Sequence, residues 1–131
     1  MLGLQARMTK PLTVGSTLTC DDNSGAKIVM IIGVKGIKAR LRRVPNAGIG
    51  DIVIVSVKKG KPEMVGKVEK AVITRQKKEF RRGKERVQFE DNACVLIDDN
   101  NLPKGTEIKG CVAREIADRF AKVVVNAPAV V

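Results

Sequence analysis

The sequence contains no histidine, tryptophan or tyrosine, and its only aromatic residues are three phenylalanines. Without histidine, the side chain that most often acts as general base at neutral pH is missing, so we do not expect an enzyme. Without tryptophan and tyrosine, the chain lacks the usual platform on which single-stranded nucleic acids stack their bases. The three cysteines, Cys20, Cys94 and Cys111, are far apart in sequence and too few for a tetrahedral zinc site. Their number and spacing therefore predict reduced thiols and no metal or other cofactor.

Long hydrophobic runs are also absent. No apolar stretch approaches the ~20 residues needed to cross a bilayer, and the first ten residues lack the apolar core of a signal peptide. We therefore expect a cytoplasmic protein. The length predicts a single domain over residues 1–131, with an N-terminal extension (1–10), a barrel with basic loops (11–110) and a C-terminal helical segment (111–131).

Positive charge is abundant and unevenly distributed. Lysine and arginine number 25 against 14 acidic residues, for a net charge of +11. Between Lys35 and Arg86 there are 17 basic and 5 acidic residues, whereas the rest of the chain has 8 basic and 9 acidic residues. All of the excess positive charge therefore lies in the middle of the chain. Such segregation favours a polyanion, and nucleic acid first of all, as the ligand.

Hydrophobic patterning predicts a small β protein. Short stretches rich in β-branched residues alternate with clusters of turn-forming residues. No helix long enough for a parallel crossover separates the predicted strands, so we expect a largely antiparallel sheet, closed into a five-stranded barrel. The predicted strands are Thr17–Cys20, Ala26–Val34, Asp51–Lys59, Lys67–Arg75 and, after a short segment at Val87–Phe89, Ala93–Ile97.

Two further segments lie outside this pattern. The stretch TRQKKEFRRGKER, residues 74–86, carries seven basic side chains between two apolar runs. We expect it to project from the barrel as a basic hairpin that reverses at Gly83. Near the C-terminus, Val112, Ile116 and Phe120 recur every four residues. This spacing predicts an amphipathic α-helix, or two short ones, that pack over one mouth of the barrel.

The candidate RNA-binding residues form three groups in the middle of the chain. Any one group is typical of a solvated surface, but three together favour contacts with the phosphates of a folded RNA. The first loop contains Lys35, Lys38, Arg40, Arg42 and Arg43, the second contains Lys58, Lys59 and Lys61, and the hairpin contains Arg75, Lys77, Lys78, Arg81, Arg82, Lys84 and Arg86.

Two other functions are compatible with parts of this pattern. A free barrel protein could bind unstructured RNA, although the scarcity of aromatic residues argues against it. The adjacent pairs Asp21-Asp22 and Asp98-Asp99 could hold Mg²⁺, at Asp21-Asp22 for a hydrolytic reaction, although aspartates are common in turn sequences of this kind.

Several motifs, in order along the chain, resemble one known family. They are CDDNSGAK (20–27), AGIGDIVIVSVKKGKPEM (47–64), KAVITRQKKEFRR (70–82), VQFEDNACVLI (87–97) and KGCVAREI (109–116). Together they resemble the universal L-fourteen family of large-subunit ribosomal proteins, in its archaeal and eukaryotic form. The resemblance extends over roughly residues 12–131.

This resemblance implies a five-stranded barrel with small C-terminal helices on the intersubunit side of the large ribosomal subunit. It implies binding to large-subunit ribosomal RNA, to neighbouring proteins of the L-three and L-twenty-four-e types, and to small-subunit RNA through intersubunit bridges. It also implies docking of factors that block subunit joining. The position of the C-terminal helical segment suggests a protein-facing surface that includes Arg114, Glu115, Asp118 and Arg119.

Overall fold

A computed structural model describes residues 9–36 and 41–131. Two of the predicted RNA-binding residues, Lys38 and Arg40, and most of the predicted N-terminal extension lie outside these ranges. No helix within them is long and apolar enough to span a membrane. The strands are β1 (Leu12–Thr13), β2 (Thr17–Cys20), β3 (Ala26–Val34), β4 (Asn46–Ala47), β5 (Ile52–Gly60), β6 (Val68–Arg75), β7 (Phe80–Arg82), β8 (Glu85–Val87) and β9 (Ala93–Ile97), followed by a 3₁₀ helix (Arg114–Asp118) and helix α1 (Ala121–Asn126).

The predicted five-stranded barrel is confirmed, with the closed strand order β2-β3-β5-β6-β9. Four neighbouring pairs are antiparallel, but β2 and β9 pair in parallel, with Cys20 opposite Cys94. An odd number of strands makes this unavoidable, because alternating directions around a closed ring leave two neighbours pointing the same way. The two small sheets outside the barrel are β1-β4 and β7-β8.

The barrel interior is filled by aliphatic side chains from every strand. In β5, Val53, Val55 and Val57 point inward and are at most 1% exposed, whereas the alternate residues Ile52 and Ile54 are half-buried. This two-residue period is the one expected for a strand with one face in the core. Every residue of β9 is buried, so this strand is covered on both faces.

The C-terminal segment covers one end of the barrel, as predicted from its apolar stripe. Val112, Ile116, Phe120 and Val123 are all at most 3% exposed. The segment forms two short helices rather than one, because Phe120 has a non-helical backbone (φ −131°, ψ 63°) between them. The run Val123-Val124-Val125, which is β-branched, further limits helix length.

Candidate nucleic-acid interface

Two of the three basic groups leave the barrel at the same end. Strand β3 ends opposite the start of β5, and the backbone N–H of Lys35 donates to Ile52 O at 3.0 Å. Strand β6 also ends there, where the N–H of Ile73 donates to Asp51 O at 3.2 Å. Lys35 and the end of β6, from which the basic hairpin follows, therefore lie at the same end of the barrel, although about 40 residues of sequence separate them.

The third group lies at the opposite end of the barrel. Lys58, Lys59 and Lys61 are at the end of β5, where Gly60 pairs with Ala26 at the start of β3. A strand of nine residues is roughly 30 Å long at about 3.3 Å per residue. Because β5 carries the chain across the barrel, the three basic groups, which all lie in the middle of the sequence, form two separate surfaces.

The predicted hairpin is present and reverses at Gly83, where φ is +60°. Strands β7 and β8 pair with Phe80 opposite Val87 and Arg82 opposite Glu85. A φ in this left-handed region suits glycine because other residues are strained there. The paired part begins at Phe80, later than the start of the basic stretch at residue 74, because the first residues after β6 are held by side-chain contacts of the barrel.

Most of the predicted RNA-binding side chains are exposed. Arg86 lies 3.0 Å from Glu79, but both side chains are more than half exposed. Such a surface ion pair contributes little to stability and leaves its arginine accessible. The exposed members of the predicted set are Lys35, Arg42, Arg43, Lys58, Lys59, Lys61, Lys77, Lys78, Arg81, Lys84 and Arg86.

Arg75 is placed differently from these residues, because its side chain is only 9% exposed. Its Nη1 lies 2.5 Å from Asp21 Oδ2 and 3.1 Å from Cys111 O, while Nε and Nη2 donate to Asp91 at 2.9 and 3.0 Å. Burial alone would lower the pKa of Arg75, but hydrogen bonds with Asp91 and the charge of Asp21 raise this pKa above its ordinary value. The guanidinium is thus engaged within the protein and faces its own carboxylates.

A buried glutamine that the sequence did not suggest fixes the start of the hairpin. Gln76 is fully buried; its Oε1 accepts from Ile49 N at 3.1 Å, and its Nε2 donates to Thr9 Oγ1 at 2.7 Å and to Lys78 O at 3.0 Å. Asn92 Oδ1 accepts the N–H of Lys77 at 2.8 Å. These bonds satisfy backbone groups where the chain leaves the sheet, as buried polar groups require. The only signal for Gln76 in the sequence is that a neutral polar residue directly follows a predicted strand.

Arg82 and Glu115 face each other in a two-bond ion pair. Arg82 Nε donates to Glu115 Oε1 at 2.6 Å and Nη2 donates to Oε2 at 2.8 Å, with side-chain exposures of 17% and 8%. The hydrogen bonds to Glu115 raise the pKa of Arg82. Of the predicted protein-facing residues, Glu115 is therefore turned inward, whereas Arg114, Asp118 and Arg119 are exposed.

Neither alternative function has a matching site in the part of the chain that the structure describes. Asp22 Oδ1 accepts from Ser24 N and Oγ at 3.2 and 2.6 Å, and Oδ2 accepts from Leu96 N at 3.1 Å, so this carboxylate stabilises its turn. In residues 9–36 and 41–131 no three histidine, cysteine or acidic groups are placed to hold a metal. Phe80, Phe89 and Phe120 are at most 8% exposed, so none of the three phenylalanines can stack on a base.

The cysteines are free thiols, as predicted. Cys20 and Cys94 are buried next to each other at the parallel seam, and Cys111 is half-buried. A hydrogen bond with Cys20, together with burial, raises the pKa of the Cys94 thiol well above its ordinary value. These thiols are therefore part of the core packing.

Comparison with known proteins identifies the family. The family model described as "Ribosomal protein L14p/L23e" matches residues 11–131. The chain belongs to this family. It is 53% identical to the large ribosomal subunit protein uL14 of Methanocella arvoryzae, over 94% of each chain. It is 51% identical to the proteins of the same name from Methanothrix thermoacetophila and Halorubrum lacusprofundi, over 100% of each chain.

Membership in the L14p/L23e family settles the general role. The protein is a structural constituent of the large ribosomal subunit and not an enzyme, and it is located in the cytoplasm within the ribosome. The resemblance identified from the sequence motifs, including its archaeal type, is thereby confirmed.

Proposed function

We propose that this L14p/L23e protein binds large-subunit ribosomal RNA through exposed lysines and arginines at both ends of its barrel. The observation that carries the proposal is the division of the basic residues by burial. Of the 13 described members of the predicted set, eleven are exposed, whereas Arg75 and Arg82 are paired with carboxylates of the protein. We therefore assign RNA contacts to the exposed set and structural roles to Arg75 and Arg82.

Phosphates, rather than bases, are the groups that this surface suits. Arginine can fork onto phosphate oxygens and lysine acts as a point charge, whereas base recognition in single strands relies on exposed aromatic rings. All three phenylalanines are buried in the core. Two basic surfaces separated by the length of β5 suit a folded RNA whose backbone reaches both ends of the barrel.

We further propose that the exposed face of the C-terminal segment contacts other components of the ribosome. Arg114, Asp118 and Arg119 are exposed on or next to the 3₁₀ helix, on the barrel end that also carries the basic hairpin. The family resemblance supports neighbours of the L-three and L-twenty-four-e types, a share in bridges to small-subunit RNA, and docking of anti-association factors at this segment.

The salt dependence of RNA binding tests the phosphate contacts. Full-length protein is titrated with a transcript of archaeal large-subunit ribosomal RNA at several salt concentrations. The double variant Arg81→Ala/Lys84→Ala should flatten the slope of log K against log salt by roughly 0.7–0.9 for each phosphate that the protein no longer neutralises. The matched control, Lys109→Ala/Lys122→Ala, removes two exposed lysines outside the basic middle of the chain and should leave the slope unchanged.

An equal change in both variants would contradict the assignment, because it would mean that net charge alone sets binding. The triple variant Lys58→Ala/Lys59→Ala/Lys61→Ala tests the opposite end of the barrel in the same titration. If only the hairpin variant alters the slope, the proposal of two RNA-binding surfaces is wrong.

Contacts across the subunit interface need a separate measurement. Large subunits that carry Arg114→Glu/Arg119→Glu are mixed with small subunits at limiting Mg²⁺ and separated on a sucrose gradient. We expect a smaller fraction of joined ribosomes than with subunits that carry the charge-matched pair Lys67→Glu/Lys109→Glu, two exposed lysines outside the C-terminal segment. Equal fractions would exclude these two arginines from the bridge.

A further inference from the structure

We infer that the ion pair between Arg82 and Glu115 is a positioning joint that sets the direction of the basic hairpin and thereby acts on RNA binding without touching RNA. The inference rests on the proposed function for its effect on RNA, but the joint itself can be tested in the free protein. It concerns the hairpin β7-β8 and the 3₁₀ helix, two elements that are far apart in sequence.

The hairpin has few attachments to the barrel. Within the described residues, β7 and β8 hydrogen-bond as strands only with each other. Phe80 is its one fully buried side chain, and Val87 is half-buried. At the base, Gln76 Nε2 donates to Lys78 O at 3.0 Å and Thr9 Oγ1 donates to Glu79 O at 3.1 Å. An element with so little buried area needs a second fixed point to hold one orientation.

Arg82 supplies that second point near the tip. It directly precedes the reversal at Gly83, and its guanidinium makes two parallel bonds to Glu115 and a third, of 3.1 Å, to Val131 O. It also lies over the ring of Phe80, 5.6 Å from the centroid. Paired arginine–carboxylate bonds fix direction as well as distance, since both groups are planar. The hairpin is thus held at its base by Gln76 and near its tip by Arg82.

Glu115 is itself held on a rigid support. Its neighbour Ile116 is fully buried, and the N–H of Ala113 donates to Thr74 O at 3.1 Å, which ties this segment to the end of β6. The N–H of Arg114 donates to Val131 O at 2.9 Å, the same carbonyl that Arg82 contacts. The joint therefore links the hairpin to the barrel through a packed segment.

A hairpin held in one orientation loses less conformational freedom on binding RNA. Ordering a flexible charged side chain or loop on binding costs roughly 0.5–1.5 kcal/mol per immobilised group, which corresponds to about a 2- to 10-fold loss of affinity. Loosening the joint should have an effect of this size. The number of phosphate contacts would not change, so the salt slope should stay the same.

The direction in which one substitution changes RNA affinity distinguishes a positioning role from a simple effect of charge. Glu115→Gln makes the protein more positive and frees Arg82, so electrostatics alone would strengthen RNA binding. The joint predicts the reverse, a weakening of about 2- to 10-fold with an unchanged salt slope, measured with the full chain and the archaeal large-subunit RNA transcript. The control Glu90→Gln makes the same change of charge at an exposed residue and should bind as tightly as the wild type or more tightly.

Hydrogen exchange of the free protein tests the joint independently of RNA. Glu115→Gln and Arg82→Lys, which keeps the charge but loses the planar fork, should both speed exchange of the β7-β8 amides and leave those of β5 protected. The double variant Arg82→Glu/Glu115→Arg, which swaps the two charges, should slow hydrogen exchange of the hairpin amides again and restore RNA affinity.

Two results would overturn the inference: unchanged hairpin exchange in both single variants, or RNA binding by Glu115→Gln as tight as that by Glu90→Gln. A flatter salt slope in Arg82→Gln, which removes the charge, would also do so, because it would make Arg82 a phosphate contact. Failure of the Arg81→Ala/Lys84→Ala variant to alter the slope would instead reject the proposed RNA surface, whatever the exchange data show.

Discussion

Arg75 and Asp21 form a buried ion pair, with Nη1 2.5 Å from Oδ2 and each side chain 9% exposed. The pair joins the end of β6 to the residue that follows β2, and Arg75 also holds Asp91 and the carbonyl of Cys111. One guanidinium thus connects the strand before the basic hairpin, the loop after it and the C-terminal segment. Its role is to hold together the barrel end from which the hairpin projects.

Loss of Arg75 should therefore destabilise the protein. Arg75→Met keeps much of the side-chain volume but leaves the buried carboxylate of Asp21 without its partner. Breaking a buried pair in this way typically costs about 3–5 kcal/mol. Denaturant-induced unfolding measures the loss, and Arg81→Met, an exposed arginine of the hairpin, should change the free energy of unfolding by less than about 0.5 kcal/mol. Equal effects would show that the pair adds no stability.

Stability should depend on pH through Asp21. Burial raises the pKa of this carboxyl group above its ordinary value, even though the charge of Arg75 lowers it. The folded protein consequently holds the Asp21 proton more tightly than the unfolded chain does. The contribution of Asp21 to the free energy of unfolding is therefore greatest below about pH 3.9, the value for an unfolded aspartate, and falls as the pH rises through the folded-state pKa.

The variant Asp21→Asn tests that pH dependence because asparagine does not titrate. The free energy of unfolding of the wild type minus that of the variant should decrease from about pH 3.5 to pH 6.5. Asp118→Asn, which changes an exposed carboxylate, serves as the control. A difference that grows with pH would mean that Arg75 outweighs burial.

Gly110 should tolerate no side chain, because it lies against the same ion pair. A Cβ at this position would overlap Arg75 Nη1 and approach Asp21 Oδ2 to 2.6 Å. We expect Gly110→Ala to lower the free energy of unfolding by about 1–3 kcal/mol, as overpacking does. Gly33→Ala is the matched control, since a Cβ there meets no atom within 4 Å. Similar unfolding midpoints for the two variants would contradict the close packing at Gly110.

The sequence predicts the barrel well because its strands are set by local patterns. The bounds of β3 agree with the predicted strand at both ends, and the apolar stripe of the C-terminal segment is buried as expected. Both follow from burial of one face, which leaves a period in the sequence. The parallel contact between β2 and β9 follows from counting strands once the barrel is known to be closed.

The pairing of individual charges could not be predicted in the same way. Within residues 74–86, Arg75 and Arg82 look like the other five basic residues, yet they are held by Asp21 and Glu115 from distant parts of the chain. Which arginine turns inward depends on the carboxylates that the fold brings near, and no local period records that. The sequence analysis also did not predict that Lys58, Lys59 and Lys61 lie at the opposite end of the barrel from the hairpin, because that position depends on how β5 crosses the closed sheet.

The three thiols should react in a fixed order with an alkylating reagent. The attacking species is the thiolate, so a buried thiol with a raised pKa reacts slowly. Cys94 is fully buried and its pKa is raised by the hydrogen bond with Cys20 and by burial, whereas Cys111 is half-buried. We expect iodoacetamide to modify Cys111 first and Cys94 only on unfolding, as measured by mass spectrometry of the folded protein. Cys111→Ser should remove the fast phase, while modification of Cys94 at the rate of Cys111 would show that the parallel seam between β2 and β9 opens in the folded state.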